Sequence, residues 1–357
     1  MASEHINEVT VRGAGVFGLA CAFVCLQRGA AVRVIDPAGP GAGASGGTVG
    51  ALAPHVPEAW NPKKAFQLDS LLMAEGFWAA VAAVGGVDPG YARSGRLQPL
   101  ADDAAAALAG TRGAGARSLW QGRADWRVVA AGDLGLPADW LGEGAVFVHD
   151  TLTARIAPRR AVAALVAAIR ARGGAVLTQG EDRGTVIHAT GAAGLADLSA
   201  ALGRGVGQGI KGQSALLRPA RECRDLPQLF VAGLHIVPHA DGTVAIGSTT
   251  ERAFDDPRAT DAQLDALVET ARAACPALRD APVVDRWAGL RPRARSRAPM
   301  LGAWPGRPGH VIANGGFKIG FGMAPKVAEV IADLVLGGHD AIPAGFRVED
   351  SLPRATP

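Results

Sequence analysis

Residues 9–36, VTVRGAGVFGLACAFVCLQRGAAVRVID, decide the fold of this chain. A β-branched segment at Val9, Thr10 and Val11 runs into Gly13-Ala14-Gly15-Val16-Phe17-Gly18. An apolar helical stretch follows over 19–28, and a second strand, 31–35, ends on Asp36. This is the order of a dinucleotide-binding βαβ unit. Gly13 lets the chain turn sharply out of the strand, Gly15 keeps side-chain atoms away from a pyrophosphate, and Gly18 lets the helix sit close to the sheet. The free N–H groups and the positive dipole end at the helix start suit the pyrophosphate. A carboxylate at Asp36 accepts ribose hydroxyls and repels a 2′-phosphate, which disfavours NADP.

The length of 357 residues suits about two domains, and 48% hydrophobic with 19% charged residues describes a globular chain with a sizeable core. The 48 glycines are spread along the chain between periodic apolar residues, so they do not mark low complexity. A net charge of +3 without a long basic run excludes a nucleic-acid footprint of the usual kind, and no DNA partner is expected. The densest basic cluster is Arg291, Arg293, Arg295 and Arg297. Cys21, Cys25, Cys223 and Cys275 have no metal-ligand spacing. Cys21 and Cys25 fall one helical turn apart and are expected to pack against the sheet. The polar amino terminus passes straight into the first strand without room for a signal peptide, the final ATP is no peroxisomal address, and no apolar span of about 18 residues is expected. The expectation is a cytoplasmic protein without a transmembrane segment.

After Asp36, residues 37–54 form a long small-residue segment that includes Ser45, Gly46, Gly47 and Thr48. So bare a backbone can lie against a large planar ligand and donate N–H groups along its edge. An amphipathic helix is expected over 62–84, strands over 91–100 and 126–129, and a short helix over 102–108. Trp120, Trp126 and Trp140 are expected as core anchors. Helical pattern returns over 161–172 and a strand over 175–178. Residues 185–191 then form a buried strand ending at Thr190-Gly191, with His188 expected as an ordinary sheet residue. A period of two marks antiparallel strands at 212–217, 229–237 and 243–247. A helix at 261–274, a strand at 310–314, a glycine-rich loop at 315–322 and a last helix at 324–336 complete the chain. This order predicts two interleaved domains, one from 1–84, 149–205 and 306–357 and the other from 85–148 and 206–305.

The motifs together resemble the FAD-dependent D-amino acid oxidase superfamily, in particular its glycine oxidase, sarcosine oxidase and D-amino acid dehydrogenase branch. They are GAGVFG with Asp36, GASGGTVGALAP at 43–54, HATGAA at 188–193, KGQSALLRP at 211–219, IVPHADGTVAIGSTTE at 236–251, GLRP at 289–292, and the GG-x-K-x-G loop carrying Gly316, Phe317, Lys318 and Ile319. The resemblance implies an α/β plus α+β fold, in which a Rossmann-like FAD-binding domain interleaves with an antiparallel-sheet substrate domain of the glutathione reductase type 2 kind. FAD would be noncovalent, because no cysteine lies in the C-terminal loop. The implied reaction oxidises the C–N bond of glycine, sarcosine or a D-amino acid to an imine by hydride transfer to flavin N5. Oxygen, or a quinone or other electron carrier, would take the electrons.

The resemblance also assigns site residues. Arg291 matches the arginine that grips a substrate carboxylate, a task suited to a planar fork; a salt bridge between the domains is the alternative. Lys318 matches a basic position beside the flavin's pyrimidine edge, where it and the last helix would stabilise negative charge, or it is a surface lysine. His55 is a further polar candidate for the pocket. The chain departs from the family at Ala294 and Ser296, where threonine and aspartate are usual. With Arg293, Arg295 and Arg297 this edge becomes cationic, which suits a substrate with more than one acidic group, or simply a solvated strand edge. Tyr91 is the only tyrosine, so a tyrosine-lined pocket is not expected. Two other readings share motifs with this chain. One is the flavin domain of tRNA wobble-uridine modifying proteins, through ASG-x-x-x-G and the AP-x-x-AE at 324–329, which the scattered charge disfavours. The other is a flavin subunit without catalysis of its own in a larger complex.

Overall fold

The computed structural model describes residues 7–352; the terminal segments on which the address-signal expectations rest lie outside them. The chain begins β1 (Glu8–Arg12), α1 (Val16–Gln27), β2 (Ala31–Ile35), β3 (Ala51–Leu52), α2 (Pro62–Gly85), β4 (Arg96–Pro99), α3 (Asp103–Leu119), β5 (Trp126–Ala130) and α4 (Ala138–Leu141). It continues β6 (Val146–Asp150), β7 (Ala154–Arg155), α5 (Pro158–Ala171), β8 (Ala175–Leu177), β9 (Thr185–His188), α6 (Gly191–Ala201) and β10 (Gly207–Leu217). The last third is β11 (Gln228–Val231), β12 (Leu234–Pro238), β13 (Val244–Gly247), α7 (Ala262–Ala274), β14 (Val283–Ala294), β15 (Met300–Ala303), β16 (His310–Asn314) and α8 (Gly320–Gly337).

A six-stranded sheet runs β15-β16-β9-β1-β2-β8 and an eight-stranded sheet runs β14-β10-β13-β12-β11-β4-β6-β5. In the first, β16, β9, β1, β2 and β8 are all parallel and only β15 is antiparallel. The carboxyl ends of β16, β9, β1 and β2 therefore emerge along one edge, the place where open parallel sheets bind ligands. Helix α1 is apolar on every side and buried from Val16 to Leu26, as a helix enclosed between a sheet and other helices must be. It packs on α5 and α8, and α2 packs on the same pair. Cys21 and Cys25 are buried and unbridged in this core, and burial pushes the Cys25 thiol up to about 12. Trp120 and Trp126 belong to the same core, whereas Trp140 anchors the second, between α4, α7 and the eight-stranded sheet.

Several elements depart from sequence expectation. Residues 229–237 are two strands of a hairpin, because Ala232 (φ 50) and Gly233 (φ 77) both take left-handed backbone and make a two-residue turn. The strand expected over 91–100 is confined to Arg96–Pro99, after Gly95 at φ 74. The short helix at 102–108 continues to Leu119, capped by the Asp102 carboxylate on Ala105 N at 2.7 Å. The stretch holding GLRP is a twelve-residue strand, β14, paired along β10; it tolerates Pro292 because it is the sheet's edge. Met300–Ala303, placed with the substrate segments by the boundary at 305, forms β15 of the six-stranded sheet. The last helix begins at Gly320, inside the expected glycine loop. Helix α2 is long and apolar enough to cross a membrane by length and composition, contrary to expectation; its face from Phe66 to Val81 is buried in the first core.

Candidate active site

The turns after β1, β2, β9 and β16 open onto a cavity of about 910 Å³, whose far wall is one face of the eight-stranded sheet. At the end of the cavity formed by the turn after β1, close packing dictates the glycines. A Cβ at Gly13 (φ 105) would stand 2.4 Å from Ala189 O, and one at Gly18 would stand 2.0 Å from Gly13 O. Gly15 leaves 3.2 Å to Ser45 Oγ, which accepts the Val16 N–H at 2.9 Å. Asp36 accepts from Ala14 N through Oδ2 at 2.8 Å and from Ala38 N through Oδ1 at 3.0 Å. Thr48 Oγ1 donates to Ser214 Oγ at 2.7 Å, tying the small-residue loop to the second sheet.

Cross-strand register builds the opposite wall. Phe230, His235, Gly247, Ser214 and Trp287 are successive partners across β11, β12, β13, β10 and β14, and all five line the cavity. Partners in register share a face of the sheet. Two positions further along lie Gly212 and Gly289, then Ile210 and Arg291. The Arg291 guanidinium leans over Gly212, and the Trp287 ring leans over Gly289, whose Cβ would stand 2.4 Å from Cζ2.

Arg291 is 8% exposed. Its Nη1 donates to Ser248 Oγ at 2.7 Å, and Nη2 donates to the carbonyls of Thr249 at 2.5 Å and Lys211 at 3.2 Å. Its Nε has no partner, and no carboxylate pairs with it among the described residues. Burial pushes its pKa down to about 10. Phe317 lies beside it, with Arg291 Cζ at 5.7 Å and Arg293 Cζ at 5.6 Å from the ring centroid. Lys318 lines the cavity, and burial, then the nearby Arg291 charge, lowers its pKa.

Of the residues singled out in sequence, Gly15, Phe17, Asp36, Ser45, Gly47, Thr48, Thr190, Gly191, Arg291, Gly316, Phe317 and Lys318 line this one cavity. Gly13 and Gly18 act one layer behind it by packing, and Ala14 through its N–H to Asp36. Gly46 turns its carbonyl to Arg159 Nε at 2.8 Å, and Ile319 caps α8. His55 lies elsewhere: its backbone N–H and ring Nδ1 both meet Gln67 Oε1 of α2. Arg293, Arg295 and Arg297 do not line the cavity. Sequence reasoning passed over Ser214, Phe230, His235, Ser248 and Trp287, which reach it through cross-strand register; alternation along 212–217 pointed to Ser214, but the hairpin hid the others on β11 and β12.

The glycine cradle and the bare loop fit a dinucleotide, and the cavity carries on past that end to a second, antiparallel wall, which is the arrangement of the two-sheet flavoproteins. The chain belongs to the DAO family of FAD-dependent oxidoreductases, whose model matches residues 8–334. It is similar to the glycine oxidase of Pseudomonas putida, at 29% identity over 97% of this chain and 99% of the relative. The glycine oxidase of Geobacillus kaustophilus is 25% identical over 93% of each chain. Among solved structures, glycine oxidase from Geobacillus kaustophilus superposes with a TM-score of 0.82 at 22% identity, covering 98% of this chain and 100% of that one. Iminodiacetate oxidase from Chelativorans sp. BNC1 gives 0.84 at 22% identity, covering 95% and 98%. These structures share the Rossmann-like fold. The protein is an FAD-dependent oxidoreductase, with FAD as its cofactor.

Proposed function

We propose that this enzyme oxidises the C–N bond of a small carboxylate-bearing amine such as glycine, sarcosine or a D-amino acid. The observation that carries this reading is Arg291, a buried cation with no carboxylate at salt-bridge distance among the described residues, where Glu251 pairs with Lys211 and acts on Arg291 only from further away, fixed by a hydroxyl and two carbonyls at the cavity wall. A buried charge calls for a counter-charge, and a guanidinium fork matches a carboxylate in two hydrogen bonds. The similarity to glycine oxidases over nearly the full length supports the same substrate class.

FAD, when bound, supplies the two-electron acceptor for this oxidation. The protein's part is placement and field. Gly13, Ala14, Gly15, Gly18 and Asp36 would hold the nucleotide end, with Ser45, Gly46, Gly47, Thr48, Thr190 and Gly191 along the middle. Gly316, Phe317, Lys318 and Ile319 would border the reactive end, where Lys318 and the amino end of α8 favour negative charge. The FAD-binding segments are then 1–84, 149–205 and 306–357 together with β15, and the remaining segments carry the substrate wall.

Anaerobic titration of the purified holoenzyme tests the reading through the visible flavin band. Bleaching by glycine, sarcosine or D-alanine is expected. Bleaching only by wobble-modified tRNA, or by nothing offered, contradicts it. Peroxide formation on admitting air then distinguishes oxygen from a carrier as acceptor.

A further inference from the structure

The wall around Arg291 uses most of what the guanidinium can donate. Nη1 gives one N–H to Ser248 Oγ at 2.7 Å, and Nη2 gives both of its own to the carbonyls of Thr249 and Lys211. Nε is buried. The second N–H of Nη1 is what remains for a ligand in the cavity. The two carbonyls are themselves fixed. Lys211 O also accepts the Glu251 N–H at 3.0 Å, and Thr249 is tied to β10 by its N–H to Gln213 O at 3.2 Å and by the Gln213 N–H to its Oγ1 at 2.8 Å. Thr249 Oγ1 in turn donates to the buried Glu251 carboxylate, which pairs with Lys211 Nζ at 3.5 Å. The Nη2 edge is therefore committed to the wall, and Arg291 brings its charge and one free donor to a carboxylate that can accept more than one.

Ser248 stands beside that free donor. It follows β13, is half-buried and lines the cavity together with Arg291. A hydroxyl accepts and donates at once. Ser248 Oγ accepts from Nη1, and its own proton has no acceptor among the described residues. Accepting from a cation polarises the hydroxyl and makes it the stronger donor. The neighbouring positions on this face, Gly212, Gly247 and Gly289, have no side chain to compete for the same ligand.

We propose, resting on the function given above, that Ser248 is the second ligand of the substrate carboxylate, one carboxylate oxygen accepting the free Nη1 N–H of Arg291 and the other accepting the Ser248 O–H. The two donor atoms stand 2.7 Å apart, so one carboxylate reaches both. The grip on the substrate is then shared between a cation and a neutral hydroxyl on neighbouring strands. A carboxylate-bearing amine makes both bonds, and an alkylamine makes neither.

The test uses holoenzyme matched for FAD content. Acetate, a carboxylate without an amine, is titrated against the flavin band, and anaerobic reduction by glycine and by methylamine is followed in wild type, Ser248→Ala and Ser248→Thr. Ser248→Ala should weaken acetate about 10-fold and lower the preference for glycine over methylamine by a similar factor, through the half-saturating glycine concentration and not the limiting rate. Ser248→Thr keeps the hydroxyl and should restore most of both. A serine that only held Arg291 in place would give the same loss, so the comparison is repeated on Arg291→Met. There Ser248→Ala should still weaken glycine about threefold or more, because the hydroxyl itself meets the carboxylate. Should Ser248→Ala lose FAD, Ser248→Cys, of similar size to serine and a weak donor, makes the same comparison. Acetate affinity unchanged on losing the hydroxyl, or a loss that vanishes in Arg291→Met, overturns the proposal. A wild-type flavin that no amine reduces overturns the proposed function and Ser248's role with it, whereas glycine reduction indifferent to Ser248 overturns the Ser248 assignment alone.

Discussion

Gly212 of β10 is the floor on which Arg291 of β14 lies: a Cβ built on Gly212 would stand 2.1 Å from Arg291 Nη2 and 2.3 Å from Cζ. Gly212 pairs with Gly289, which clears the Trp287 ring in the same way, so arginine and tryptophan lean toward each other over two bare positions. The glycines of KGQS and GLRP thus have one purpose, to let long side chains lie flat on the cavity face.

Gly212→Ala should therefore displace the guanidinium without unfolding the protein. The backbone at Gly212 needs no left-handed conformation, and the obstructing atoms are the end of a flexible side chain. FAD should remain bound and the melting temperature change little, while KM for an amino acid rises about 10-fold or more. Steady-state kinetics beside the flavin absorbance check this; an unchanged KM would separate the Arg291 position from substrate binding.

Gly18→Ala has the opposite character. Its Cβ would meet the Gly13 carbonyl at 2.0 Å, backbone against backbone, so α1 must move away from the sheet. Overpacking of this kind costs about 1–3 kcal/mol or more, enough to lower the melting temperature and release FAD. Thermal unfolding with and without added FAD measures both effects.

Asp36→Leu removes the acceptor for Ala14 N and Ala38 N. The variant should purify with substoichiometric FAD and melt at a temperature that climbs with added FAD, since ligand binding to the native state stabilises by mass action. Stoichiometric FAD in the variant would relocate the nucleotide end.

Acid should destabilise the fold through its buried histidines. Burial pushes His188, His235 and His239 from 6.5 down to about 4, while His310, 2.9 Å from His188, adds like charge at the first. In the unfolded chain each binds a proton below about 6.5. The stability they carry is complete above that pH and is lost as pH falls through about 4. Melting temperatures taken between these limits should decline with pH, and a flat profile would contradict the buried neutral state.

The glycine turn after β1 was legible in sequence because its causes are local. Gly13, Gly15, Gly18 and Asp36 lie within one βαβ unit, and each acts on a neighbour a few residues away or on the adjoining strand. Arg291 and Lys318 came from motif resemblance, and both line the cavity. His235 was hidden because Ala232-Gly233 is a less typical hairpin pair, so 229–237 looked like one strand and its facing could not be assigned. His55 was drawn in by its nearness to the small-residue loop, but Gln67 of α2 holds it. The arginines at 293, 295 and 297 could be read as an edge for a second acidic group or as a solvated strand edge; Arg293 packs on the Phe317 ring and Arg295 and Arg297 are exposed.

The proposed role of Arg291 in selecting a carboxylate is read from anaerobic flavin reduction by glycine against methylamine, in wild-type enzyme and in Arg291→Met. Wild type should prefer glycine by about 100-fold or more, and the variant should keep FAD yet lose most of that preference. A preference for glycine that survives in Arg291→Met would contradict the account.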